Sequence, residues 1–95
     1  MGFYDLTKEE RKKLVERIRE EVEQGVKQRD LNCIRKYASN NDTYIRKNAY
    51  LALSRLYSNC KNLRCDILDV LRQLFEDENE LVRQTVVYTL GEIGK

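Results

Sequence analysis

The sequence predicts an all-α protein of about five helices, and three observations carry that expectation. Apolar residues recur at helical spacing along nearly the whole chain. The 95 residues contain no Pro and only four Gly, so little interrupts a helix. An apolar skeleton also repeats at an interval of 37 residues, the mark of stacked units. With 36% charged residues against 41% hydrophobic ones, the helices must carry broad solvated faces over a small, well-placed core.

The first helix begins near Thr7, where Thr7 and Glu10 have the spacing of a capping box that satisfies free backbone donors. Leu14, Val15, Ile18, Val22 and Val26 form its apolar stripe, and Gly25 is expected to mark its end. Residues 1–26 thus read as an N-terminal capping helix with a charged outer face. Asp30 is placed to cap a short helix carrying Leu31, Ile34, Tyr37 and Ala38, which stops at the turn-forming run Ser39-Asn40-Asn41-Asp42. A longer helix runs from about Thr43 to Tyr57, with Ile45, Ala49, Leu53 and Leu56 on one face. After Ser58-Asn59 the pattern recurs, with helices over Leu63 to Phe75 and Glu80 to Ile93.

A shift of 37 residues lays Arg35 on Arg72, Arg46 on Arg83 and Leu53 on Leu90. It also pairs Ile34 with Leu71, Ile45 with Val82, Ala49 with Val86 and Leu56 with Ile93. Residues 27–58 and 59–95 are therefore two helical hairpins, each too small to bury its apolar face without a neighbour. The stretch Leu74-Phe75-Glu76-Asp77-Glu78-Asn79-Glu80-Leu81-Val82-Arg83, closing on Leu90-Gly91-Glu92-Ile93-Gly94, resembles the bacterial and archaeal HEAT-like repeat signature. The first hairpin matches with Asp42, Ile45-Arg46, Ala49 and Leu53, while Ser54 and Tyr57 stand where the signature has Gly. The resemblance implies a right-handed α-α superhelix, of which this segment is expected to be the N-terminal part.

Few residues invite chemistry. The chain has no His, which removes His-activated nucleophiles and His-ligated metals together. Cys33, Cys60 and Cys65 read as reduced structural thiols, so neither a metal nor any other cofactor is expected. Glu76-Asp77-Glu78-Asn79-Glu80 lacks the central Gly and closing Glu of a calcium loop and is expected to cap the next helix, with Asp42 doing the same one repeat earlier. Gly91-Glu92-Ile93-Gly94 reads as a repeat ending, because a nucleic-acid-binding GxxG loop needs a mixed helix-and-strand setting. Arg46 and Arg83, with Asp42 and Asp77, are expected to form a structural ladder near the inter-repeat turns. No catalytic residue is assigned.

The expected function is non-enzymatic: a repeat module that binds a protein partner on its concave helical surface. Candidate contacts are Lys47, Tyr50, Leu51 and Arg55, with Gln84, Val87 and Tyr88 one repeat on. Leu81, Val82, Val86, Val87, Tyr88, Leu90 and Ile93 make an apolar arc wider than one partner helix needs, which calls for further repeats or a homodimer. The alternative is nucleic acid. Residues 27–72 hold ten basic and four acidic groups, an excess of six, interspersed with Tyr37, Tyr44, Tyr50 and Tyr57. The resemblance extends to the HEAT-like alkylpurine DNA glycosylases, which cradle a duplex, although their acidic and aromatic residues have no counterpart assignable here. The absence of a membrane-length apolar run or signal-peptide core makes a cytoplasmic setting, away from membranes, the expectation.

Overall fold

In the computed structural model, which describes residues 2–95, five α-helices account for most of the chain: α1 (Lys8–Gln28), α2 (Leu31–Ala38), α3 (Thr43–Asn59), α4 (Arg64–Leu74) and α5 (Glu80–Ile93). Short 3-10 turns at Phe3–Asp5 and Lys61–Leu63 complete the regular structure, and there is no strand among the described residues. α3 lies between α1 and α5, while α2 and α4 form the second layer. One core runs through all five helices, built from Ile18, Val22 and Val26 of α1, Ile34 of α2, Ala49 and Leu53 of α3, Ile67, Val70 and Leu74 of α4, and Val82 and Val86 of α5.

The start of α1 is set by its own residues. Thr7 Oγ1 accepts from the Glu10 N–H at 3.1 Å, and the Glu10 carboxylate accepts from the Thr7 N–H at 2.8 Å. Its end differs from the sequence expectation. The helix runs through Gly25 to Gln28, and the left-handed terminating residue is Arg29, at φ 56°. A left-handed backbone costs a non-glycine residue about 1 kcal/mol, and from this position Arg29 donates to Asp66 and Asp69 of α4. Gly25 does something else. It is buried within α1, and a Cβ there would sit 2.8 Å from Ile34 Cγ1 and 3.1 Å from the Asp30 carbonyl. The missing side chain lets α2 fold back tightly onto α1.

The two hairpin turns are built alike. Asp42 Oδ1 accepts from the Tyr44 N–H and caps α3, and Asn79 Oδ1 accepts from the Leu81 N–H and caps α5, each at 2.8 Å. Two residues earlier, Asn40 and Asp77 accept from the N–H groups of Asp42 and Asn79, again at 2.8 Å. Arg46 Nη1 reaches back to the Asn40 carbonyl at 2.7 Å, and Arg83 Nη1 to the Asp77 and Glu78 carbonyls at 2.6 and 2.8 Å. These turns lie inside each hairpin, so the arginines brace α2–α3 and α4–α5 individually. Asp42 aligns with Asn79 rather than with Asp77, so the cap within the acidic stretch is its one amide.

Asp42 and Asp77 instead share a longer reach. Asp42 Oδ2 accepts from the Phe3 N–H, tying the N-terminal turn to α3. Asp77 takes Arg35 Nε at 2.6 Å and Nη2 at 3.2 Å, a forked pair that joins the first hairpin to the second. The backbone donor from Phe3 holds Asp42 below the usual carboxylate range, and Arg35 does the same for Asp77.

Three outcomes are expected for stability, each read by urea unfolding. Gly25→Ala gains about 1 kcal/mol of helix propensity, but pressing a Cβ against Ile34 costs about 1–3 kcal/mol, so the variant is the less stable. Arg83→Ala loses about 1–2 kcal/mol, because the Asp77 and Glu78 carbonyls lose the Nη1 donor they share. The depressed carboxyls of Asp42 and Asp77 contribute fully above their unfolded value of about 4 and lose that contribution as pH falls through their folded values. Stability therefore drops on acidification below about pH 4, and Asp77→Asn flattens the drop.

Candidate interaction surface

α3 and α5 set their outward residues side by side on the face away from the core. The Tyr50 and Tyr88 rings stack with centroids 5.4 Å apart and planes 23° from parallel. Tyr88 is 59% exposed and its neighbour Val87 55%, so two apolar side chains stand open on a rigid helix. Gln84, Val87 and Tyr88, with Glu80 and Arg83, border a shallow depression beside the stacked pair. Lys47 is exposed and Leu51 half-buried on α3.

Tyr50, Gln84, Val87 and Tyr88, four of the seven residues expected to contact a partner, form the stack or border the depression beside it, while Arg55 departs from them. Five residues beyond Tyr50, it is turned about 140° round the helix. It lines a separate depression against α1, with Arg19, Glu23, Ala52, Leu56, Asn59 and Cys60.

A second apolar surface joins Val86 and Leu90 of the expected arc to residues of α4 that the sequence pattern did not single out. Leu68, Leu71 and Phe75 of α4 and Val86 and Leu90 of α5 line an almost wholly apolar groove at the end of the molecule, with Arg72 on its edge. Val82 and Val86 of the expected wide arc are buried, while Leu90 remains exposed, joined there by Leu68 and Phe75. The signal available in the sequence was the α4 stripe, which places Leu68, Leu71 and Phe75 at helical spacing. At the opposite end, Tyr4 packs edge-on against Phe3 and Tyr44, with the Arg11 guanidinium over its ring.

The basic excess of residues 27–72 is largely committed to internal contacts. Lys27 pairs with Glu23, Arg29 with Asp66 and Asp69, Arg35 with Asp77, Lys36 with Glu21, and Arg72 with Asp69. Arg46 is held by the turn carbonyl, and Arg64 donates to the Tyr57 carbonyl while covering its ring. Lys47, Arg55 and Lys61 are left without an ion-pair partner among the described residues. The Tyr37 hydroxyl also donates to Glu21, and Lys36 and Tyr37 together hold that carboxyl below its usual range. Hydrogen bonding to Asp30 pushes the Cys33 thiol up, away from the reactive thiolate. Among the described residues, no helix is long and apolar enough to cross a membrane.

The profile of the HEAT-like repeat family matches residues 43–93, from the start of α3 to the end of α5, which is 51 of the 95 residues. No curated protein and no solved structure gave a match to the chain. The matched stretch contains the paired second helices, the turn braced by Arg83 and the first helix between them, and on that match the chain belongs to the HEAT-like repeat family.

Proposed function

We propose that this helical-repeat protein is a non-enzymatic, cytoplasmic interaction module that binds a partner protein across α3 and α5. The observation that carries the reading is the stacked Tyr50–Tyr88 pair flanked by exposed Val87. Aromatic side chains supply large contact area for little lost conformational freedom, and clustered ones dominate the energy of protein interfaces. Lys47 of α3 and Gln84 of α5 supply the polar rim such interfaces carry, and Leu51 adds apolar area beside Tyr50 in sequence. Arg55, on the other flank of α3, contributes at most to a neighbouring contact.

Nucleic acid is the weaker reading for a physical reason. Steep, salt-dependent binding needs several free cations in register with phosphates, and five of the ten basic residues already face carboxylates. A fluorescein-labelled duplex titrated with the protein at about 50 mM salt is expected to show no rise in anisotropy. Micromolar binding abolished by Lys47→Glu with Arg55→Glu would establish the nucleic-acid alternative.

Affinity capture from a cell extract tests the main proposal. A partner retained by the wild-type chain should fall at least about tenfold in recovery with Val87→Asp or Tyr88→Ala, a loss of about 1.4 kcal/mol or more. Lys12→Ala, on the solvated face of α1, should leave recovery unchanged. Equal recovery by all three variants would remove α3–α5 from the binding surface.

A further inference from the structure

The first hairpin shows what covers a surface like the groove at the other end. Under the 37-residue shift, Leu68, Arg72, Phe75 and Leu90 of the second hairpin correspond to Leu31, Arg35, Ala38 and Leu53 of the first. In the first hairpin this surface is closed by α4 and α5, with Ala38 and Leu53 each 1% exposed. In the second, Phe75 is 52% and Leu90 47% exposed. The same surface exists twice, once covered and once open.

The polar contacts of the covered copy specify the cover. Asp77, in the turn of the second hairpin, grips Arg35 through two nitrogens, and Thr85 Oγ1 donates to the Ala38 carbonyl at 3.0 Å. Arg72 stands in register with Arg35. Among the described residues its carboxylate partner is Asp69, three residues back on its own helix, and its side chain stays 76% exposed. Such a pair within one helix is weak and leaves the planar fork open to a carboxylate from outside.

We propose that Leu68, Arg72, Phe75 and Leu90 form a docking face for a helical hairpin whose turn carries a carboxylate. The occupant's apolar helices cover Phe75 and Leu90, and its carboxylate takes Arg72 as Asp77 takes Arg35. A second copy of this chain fits less well. The surface of α4–α5 that covers a neighbour is already occupied by its own first hairpin.

The test supplies the hairpin to the full chain. A second copy of residues 59–95 is joined directly after Lys95, which brings another Asp77 into register with Arg72. Thermal unfolding of the extended chain is expected as one transition, at least about 5 °C above that of the 95-residue chain. Arg72→Ala should lower the extended chain's Tm by about 3 °C or more and the 95-residue chain's by less than about 1 °C. Ala at the appended copy of Asp77 should give the same loss, and the two changes together no more than either alone.

Two separate transitions, or an unchanged Tm, would overturn the proposal, as would an equal effect of Arg72→Ala on both chains. So would a dimer of the 95-residue chain in light scattering that Leu90→Asp dissolves, since it would give the face to a second copy. None of these readouts touches Tyr50, Val87 or Tyr88, so they stand or fall apart from partner binding on α3–α5.

Discussion

α3 lies against α1 on one flank and α5 on the other, and the larger features of the molecule depend on how the second contact is closed. A two-helix unit has one apolar face too many to bury by itself. α5 covers that face on the first hairpin, and three buried hydroxyl residues, Ser54 on α3 and Thr85 and Thr89 on α5, keep the two helices slim where they pack closest. Each hydroxyl donates to a helix carbonyl, so none enters the core unsatisfied. The single Thr85 hydroxyl hydrogen lies between the Leu81 carbonyl of its own helix and the Ala38 carbonyl at the end of α2, which sets the register of α5 against α2.

That closeness is what gives the outer surface a defined shape. Because α3 and α5 are held side by side, Tyr50 and Tyr88 meet although 38 positions separate them in the chain. A patch built on two mutually braced helices presents its aromatic rings already in place, which lowers the ordering cost that a partner must meet on binding. The braces are local. Arg46 and Arg83 each close the turn of their own hairpin, and Arg35–Asp77 with Arg29–Asp66 spans the two. Rigidity within a repeat and registry between repeats therefore rest on different arginines.

The sequence exposed whatever is governed by neighbours within a turn or two. The capping box at Thr7 and Glu10, the caps at Asp30 and Asp42, and the span of α5 all depend on residues two to four apart, and each forms as its spacing requires. Gly25 misleads because close helix approach and helix termination call for the same residue, and only the position of Ile34 tells them apart. The capping duty of Asn79 is masked by four acidic neighbours, any of which satisfies a compositional rule. Arg55 shares a face with Leu51 but stands five residues, about 140°, from Tyr50, and the spacing alone does not tell which neighbouring helix each flank meets. The ion pairs of Arg29 and Arg35 join residues 37 to 42 positions apart, and nothing in local pattern selects such partners.

The excess of six positive charges in residues 27–72 shows why a linear tally misleads in a repeat protein. Basic residues of one repeat and acidic residues of the next are far apart in sequence yet adjacent in space, so a charge counted as free in the first is neutralised by the second. Arg35 and Arg72 occupy the same position of the same motif, each directly after an apolar residue, and are told apart by the presence of a neighbouring repeat. Arg35 has Asp77 across the interface and acts as structure, whereas among the described residues Arg72 pairs only with Asp69 of its own helix. In a stacked architecture the role of a residue is therefore set less by its identity than by what the adjacent repeat places against it.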